Sequence, residues 1–209
     1  MEALQGSLLG TSAPAVDPNA VVERVELDDR SWIDVGRLWL RGADTLLEAL
    51  VATVPWRQGR RTMYDRVLDD PRLSRWYDAE SPLPDPTLDA IRRALSTRYR
   101  VSFGSVGLNY YRNGRDSVAF HRDRELRHLD NTLVAIVTLG AVRPFLVRPR
   151  VGGASRDLRP ASGDLLVMGG RTQADWEHSV PKAARVGPRV SVSLRWSSRQ
   201  GPPSAPRRR

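Results

Sequence analysis

The sequence predicts an α+β domain whose second half closes into a double-stranded β-helix, a jelly roll, with helices supporting it from the N-terminal side. Three observations lead there. Two amphipathic helical patterns precede residue 100, short β-type runs broken by Gly, Pro and Asn-Gly follow from Val106 onward, and no helix-length crossover separates those runs. At 209 residues, 40% of them hydrophobic, the chain buries about 70% of the surface its unfolded form exposes, so no metal or disulfide is needed to complete a core. The cysteine count of zero excludes disulfide scaffolds, thiolate nucleophiles, iron–sulfur clusters and thiolate-bound zinc, which leaves His, Asp and Glu as the available metal ligands.

Taken in order, residues 1–19 are expected to form a flexible segment, since Gln5 to Pro18 is rich in Gly, Ser, Ala and Pro. One domain is expected over residues 20–197, followed by a flexible basic tail over 198–209. Asp44 is placed as the cap of a first helix whose Leu46, Leu47, Leu50, Val51 and Val54 share a face before Pro55 ends it. A second helix follows Asp85-Pro86, a cap with proline at the first helical position, and its Leu88, Ile91, Leu95 and Tyr99 again share a face. Between the two, Trp56 to Leu83 mixes Arg, aromatics and Pro without a clear period and reads as a long irregular or hairpin-like loop, the kind that carries function. Strands are expected at 107–112, 117–123, 132–139, 143–148, 164–168, 176–180 and 189–196. No apolar run approaches the ~20 residues of a membrane span and Met1-Glu2-Ala3 lacks a basic signal start, so a soluble, cytoplasmic protein is expected.

The net charge is +9, and of the 33 basic residues Lys182 is the one lysine. Taking away +4 from the acid-free tail (Arg199, Arg207, Arg208, Arg209) and −2 from Glu2 and Asp17 leaves +7 on residues 21–196. A basic body suits contact with a phosphate backbone, and equally suits an Arg-rich surface with no such partner.

Chemistry concentrates on three histidines, His121, His128 and His178. In His121-Arg122-Asp123 the outer two side chains share one face of the expected strand, a spacing at which both reach one ion. His178, in another expected strand, completes two His and one carboxylate, the facial set of non-haem Fe(II) oxygenases. Two surface histidines beside an unrelated aspartate would give the same pattern. Over 189–195, alternation sets Arg189, Ser191, Ser193 and Arg195 opposite Val190, Val192 and Leu194. Facing out, the polar row makes an ordinary half-buried strand. Facing in, it buries two guanidiniums that need anionic partners such as a dicarboxylate cosubstrate or Asp123. The Asn113-Gly114 turn joins the two strands at 107–112 and 117–123, so Asn109 and Tyr111 offer an amide and a phenol beside the His-x-Asp pair.

At this point the chain resembles a known family. Asn109-x-Tyr111, His121-x-Asp123, Gly163-Asp164-Leu165 with Gly169-Gly170, Trp176-x-His178 and Arg189-x-Ser191-x-Ser193-x-Arg195 are similar, in that order, to the AlkB family of Fe(II)/2-oxoglutarate dioxygenases. The resemblance covers about residues 40 to 196. It is strongest to the bacterial branch with Trp39-Leu40-Arg41-Gly42-Ala43-Asp44 and Arg60-Arg61-Thr62-Met63-Tyr64-Asp65 upstream. It implies a jelly roll, Fe(II) on His121, Asp123 and His178, and 2-oxoglutarate as cosubstrate. It further implies that Arg189 pairs with the far carboxylate, that Asn109 and Tyr111 hydrogen-bond the cosubstrate, and that Arg195 sits at the metal end. Ser191 departs from the family's usual Asn and puts one cosubstrate hydrogen bond in question. The implied activity is oxidative demethylation of alkylated DNA or RNA, of the 1-methyladenine and 3-methylcytosine type, consuming O2 and 2-oxoglutarate and releasing succinate, CO2 and formaldehyde. A base taken out of its stack needs aromatic and basic contacts. Trp56, Arg57, Arg60, Arg61 and Tyr64 are the candidate lid, with Glu125 placed to read the base.

Two other functions share part of the pattern: a 2-oxoglutarate oxygenase acting on a protein or small molecule, which the cosubstrate motifs suit equally because they outweigh anything that reads substrate, and a nucleic-acid-binding module without catalysis. The complete ligand set argues against the latter. A monomer without membrane partners is expected.

Overall fold

A strand buried on both faces reads as a near-continuous apolar run, and Thr132–Gly140 (Thr-Leu-Val-Ala-Ile-Val-Thr-Leu-Gly) is one, its two buried threonine hydroxyls each hydrogen-bonded. It forms the centre of the molecule. The computed structural model describes residues 12–63 and 66–198, with the backbone alone over 61–63 and 66–68; Tyr64, a candidate lid residue, lies outside the described residues. The elements run β1 (Ala15–Val16), β2 (Val22–Asp28), β3 (Ser31–Gly36), β4 (Leu40–Arg41), α1 (Ala43–Thr53), β5 (Arg57–Met63), β6 (Arg66–Tyr77) and α2 (Pro86–Tyr99). They continue β7 (Val106–Tyr111), β8 (Val118–His121), β9 (Thr132–Gly140), β10 (Leu146–Pro149), β11 (Arg156–Asp157), β12 (Leu165–Gly170), α3 (Thr172–Asp175), β13 (Trp176–Val180) and β14 (Arg189–Ser197).

Two antiparallel sheets make the jelly roll: a large one of eight strands, ordered β2-β3-β12-β9-β14-β7-β6-β5, and a small one of four, ordered β11-β10-β13-β8. The large sheet is apolar on both faces. Leu133, Ala135, Val137 and Leu139 of β9, with Val190, Val192 and Leu194 of β14, pack under α1 and α2 on the outer face. Val134, Ile136, Leu166 and Met168 point the other way and meet Val118, Phe145, Val147, Trp176 and Val180 between the sheets. Alternation therefore places Arg189, Ser191 and Ser193, all buried, on the inner face of the large sheet. The inward reading of that strand is the observed one.

The second helix forms as its sequence predicts, with the Thr87 N–H donating to Asp85 Oδ1 at 2.8 Å. The first does not start at an Asp44 cap. Its N-cap is Gly42, in the left-handed region at φ 63°, where an added Cβ would lie 2.3 Å from the Ser12 carbonyl oxygen. Asp44, in the first turn, instead accepts the Ser162 hydroxyl at 2.6 Å. The loop expected over 56–83 is mostly a hairpin, β5–β6, which prolongs the large sheet through Leu73–Tyr77 against Val106–Tyr110. Residues assigned to a flexible N-terminal segment are partly tied down, since Ala15 and Val16 pair with Arg41 and Leu40. Strands also precede the first helix, where helices alone were expected. The strand expected at 143–148 starts at Leu146, because Pro144 has no N–H to give a ladder.

Candidate metal centre and cosubstrate cavity

His121 ends β8, and its Cα pairs across the small sheet with that of His178 on β13. Their rings lie 4.3 Å apart. The expected strand at 117–123 stops at His121, so Asp123 stands beyond it, its N–H donating to Gln173 Oε1 at 2.9 Å in place of a ladder bond. The ligand atoms of His121, Asp123 and His178 nevertheless all lie within 4.8 Å of one another. His121 Nδ1 sits 2.9 Å from the Ala119 carbonyl. A carbonyl can only accept, so Nδ1 carries the proton and Nε2 keeps its lone pair.

The electrostatics suit a cation. Burial pushes His178 down to about 3, helped by His121 and Arg195 and opposed by Asp123. Burial lowers His121 as well. Both rings are neutral ligands at neutral pH. Burial raises Asp123, but the charge and hydrogen bond of Arg195, with the two histidines, outweigh it and hold the carboxyl below its ordinary range. Arg195 reaches it through Nε at 2.6 Å and Nη2 at 3.4 Å. Neutral imidazoles and a held carboxylate with close ligand atoms are the donor set that Fe(II) requires.

A cavity of about 320 Å³ opens beside this set and is lined by Asn109, Tyr111, Ser191 and Arg195 among others. Across β7 and β14, Asn109 faces Ser191 and Tyr111 faces Arg189. Arg189 is completely buried. Nη2 bonds to Thr138 Oγ1 at 3.2 Å, while Nε and Nη1 are buried without a hydrogen-bond partner. Burial lowers its pKa to about 10. A buried guanidinium with two orphaned donors is matched by a carboxylate, so the residues present fit 2-oxoglutarate. Burial raises the Tyr111 phenol, against Arg72, Arg189 and Arg143, so the hydroxyl remains a donor.

The remaining candidates divide. Glu125 is exposed on the turn after Asp123 and lines both this cavity and an adjoining hollow bordered by Trp76 and Arg195. Arg57 and Arg60 are exposed on β5, Arg60 donating to Asp69 at 3.1 Å; Arg61 is described by its backbone on the same strand. Trp56 stands apart, packed on Tyr110 with ring centroids 5.2 Å apart, against the helix-side core. Three residues went unread in the sequence: Arg72, whose Nε donates to Asn109 Oδ1 at 3.0 Å; Trp76, 46% exposed; and the buried Gln173. The signal for the first two was alternation within 72–76, which puts Arg72, Ser74 and Trp76 on one face.

A jelly roll that presents a two-histidine, one-aspartate set beside a basic cavity defines a class, and the chain belongs to it: residues 74–199 match the 2OG-Fe(II) oxygenase superfamily. Within that class the chain is homologous to AlkB homologues. It is 35% identical over 178 residues to the human alpha-ketoglutarate-dependent dioxygenase alkB homolog 3, covering 75% of this chain and 62% of that protein. With the DNA oxidative demethylase ALKBH2 of Arabidopsis thaliana it shares 33% identity over 143 residues, 57% of this chain and 44% of the relative. The chain thus spans less than two thirds of the length of the curated relatives it matches. Among solved structures, a Trichoplax adhaerens prolyl hydroxylase in complex with a hypoxia-inducible-factor peptide superposes with a TM-score of 0.61 at 11% identity, over 80% of this chain and 87% of that one. A Burkholderia pseudomallei oxidoreductase of the 2OG-Fe(II) oxygenase family gives 0.53 at 16%, over 75% and 79%. These two share the fold.

Proposed function

We propose that the chain is an Fe(II)- and 2-oxoglutarate-dependent oxidative demethylase that removes N-linked methyl groups, of the 1-methyladenine and 3-methylcytosine type, from DNA or RNA, acting as a monomer. One observation carries the reading: the His121, Asp123 and His178 set borders a cavity lined by Tyr111 and Ser191, and Arg189, paired with Tyr111 across the two strands, is buried with two guanidinium donors unpartnered. Bound there, Fe(II) supplies the redox chemistry by which O2 oxidises 2-oxoglutarate to succinate and CO2 and hydroxylates the N-methyl group, which leaves as formaldehyde.

The chain's own side chains hold and orient. His121 offers Nε2, His178 a neutral ring in a dry setting, and Asp123 a carboxylate kept ionised by Arg195. Arg189 takes the far carboxylate of the cosubstrate, with the Tyr111 hydroxyl beside it. Asn109 and Ser191 line the path between the two ends, and the shorter Ser191 leaves one cosubstrate contact to a water. Arg195 divides its donors between Asp123 and the cavity. For the nucleic acid, the exposed Trp76 ring, 5.3 Å from the Arg195 guanidinium carbon, borders the mouth with Glu125, and Arg57, Arg60 and Arg61 belong to β5, paired with the strand that carries Trp76. A relative named as a DNA oxidative demethylase and the +7 body support this substrate class.

The test is incubation with Fe(II), 2-oxoglutarate and single-stranded oligonucleotides carrying 1-methyladenine or 3-methylcytosine, with base restoration read by mass spectrometry. Restoration is expected in the wild type and its loss in His121→Ala, Asp123→Ala and His178→Ala. Cosubstrate turnover without base restoration would move the substrate to a protein or small molecule.

A further inference from the structure

Gln173 is completely buried, although a buried amide is costly wherever its groups go unpaired. Among the described residues, its Nε2 finds only Met168 Sδ, at 3.9 Å. Leucine or methionine would fill this place without a polar burden. Its Oε1 accounts for the amide, because it accepts the backbone N–H of Asp123 at 2.9 Å. The neighbouring pair makes a second tie between the same two segments, Arg122 Nη1 donating to the Ala174 carbonyl at 3.0 Å.

Two consecutive residues of α3 therefore hold two consecutive residues of the His121–Asp123 segment. α3 passes directly into β13, which carries His178. The tie matters because Asp123 has left β8 and no ladder bond places it. Its carbonyl accepts from the Leu126 and Arg127 N–H groups, both at 3.0 Å, closing the turn on one side. Gln173 closes the other. Meanwhile Arg195 draws the carboxylate towards β14, in competition with the histidines of the small sheet. A tethered backbone limits how far that pull can carry the ligand.

We propose that Gln173 is a positioning residue of the metal centre, holding Asp123 in register with His178 through α3, with Arg122 as the second tie. The proposal rests on the reading that His121, Asp123 and His178 hold the metal.

Mn(II), which does not react with O2, titrated into the full chain and followed by the free-ion EPR signal, reads the centre without turnover. Gln173→Met keeps the volume and removes the acceptor. Its Mn(II) Kd is expected to rise about tenfold or more, the usual effect of losing a group that orients a metal ligand. Its KM for 2-oxoglutarate at saturating Fe(II) is expected to stay within about twofold of wild type, since Arg189 and Tyr111 are untouched. Wild-type Mn(II) affinity in Gln173→Met, with or without a lower melting temperature, overturns the proposal and leaves Gln173 as core packing. If Gln173→Met fails to fold, the half-buried Arg122, as Arg122→Met, decides on the same titration: weaker Mn(II) binding supports the tie and unchanged binding overturns it. Failure of the metal reading itself looks different, because His178→Ala would then bind Mn(II) as well as wild type does.

Discussion

Arg189 is where stability and function oppose each other. Its guanidinium is fully buried with two donors unpaired, a cost that a bound dicarboxylate would relieve and an apolar side chain would avoid. Arg189→Met is therefore expected to raise the melting temperature of the ligand-free protein, by about 2–4 °C for each kcal/mol relieved. The same change should weaken 2-oxoglutarate binding about 100-fold, the loss expected for a charge-assisted bidentate pair. Calorimetry on Mn(II)-loaded protein checks both, and a lowered melting temperature would refute the argument. His178 makes a pH prediction. Burial drops it from 6.5 to about 3, so between those values an unfolded chain binds a proton that the folded one refuses. Stability of the metal-free protein is thus full above pH ~6.5 and falls as the pH drops through that window. Urea midpoints at pH 7.5 and 5 measure the fall, which His178→Leu should diminish; equal midpoints in the wild type would remove the effect. Both residues were legible in the sequence by type and spacing. Gln173 was not, because a lone glutamine has no periodicity and its partner lies 50 residues away.

At the scale of elements, legibility followed burial. β9, β12 and β14 are apolar on at least one full face, and their ranges were expected within two residues. β2 is an edge strand reading Val-Glu-Arg-Val-Glu-Leu-Asp, and β5 and β6 are rich in Arg and Asp. β2 and β5 are the edge strands of the large sheet, with β6 one strand in, and strands at or near an edge bury little, so their side chains lack the contrast that periodicity needs. The hairpin and its neighbour β7 carry two predictions. In Gly107, opposite Trp76, a Cβ would meet the Trp76 ring at 2.6 Å and Ser193 Oγ at 2.8 Å. Gly107→Val should cost about 1–3 kcal/mol of stability through overpacking and weaken oligonucleotide binding by displacing the indole. Unchanged binding would take Trp76 out of the interface. Arg60→Ala or Arg61→Ala should each reduce the slope of log binding constant against log salt by about one, and an unaltered slope would place the phosphate contacts elsewhere.

For the molecule as a whole, the proposed metal and cosubstrate would span two sheets that meet through the apolar cluster between them and through the Arg195–Asp123 pair. His121 and His178 belong to the small sheet, Arg189 and Arg195 to the large one. Mn(II) with 2-oxoglutarate, each at 100 times its Kd, should each add about 2.7 kcal/mol, visible as a rise in melting temperature. Arg189→Met should keep the metal increment and lose the cosubstrate increment. Loss of both would show that the two sites are not separable. The amino-acid order by itself determined the chemistry: no thiol, three histidines, a His-x-Asp pair and an alternating Arg-Ser-Ser-Arg row, because ligand type and strand period are local properties of the chain. Tertiary structure decided the direction in which that row faces, the position of Asp123 beyond its strand, the packing of Trp56 into the core and the tie from Gln173. Each depends on which segment lies opposite, and in an antiparallel jelly roll that partner comes from tens of residues away, outside the reach of any local pattern.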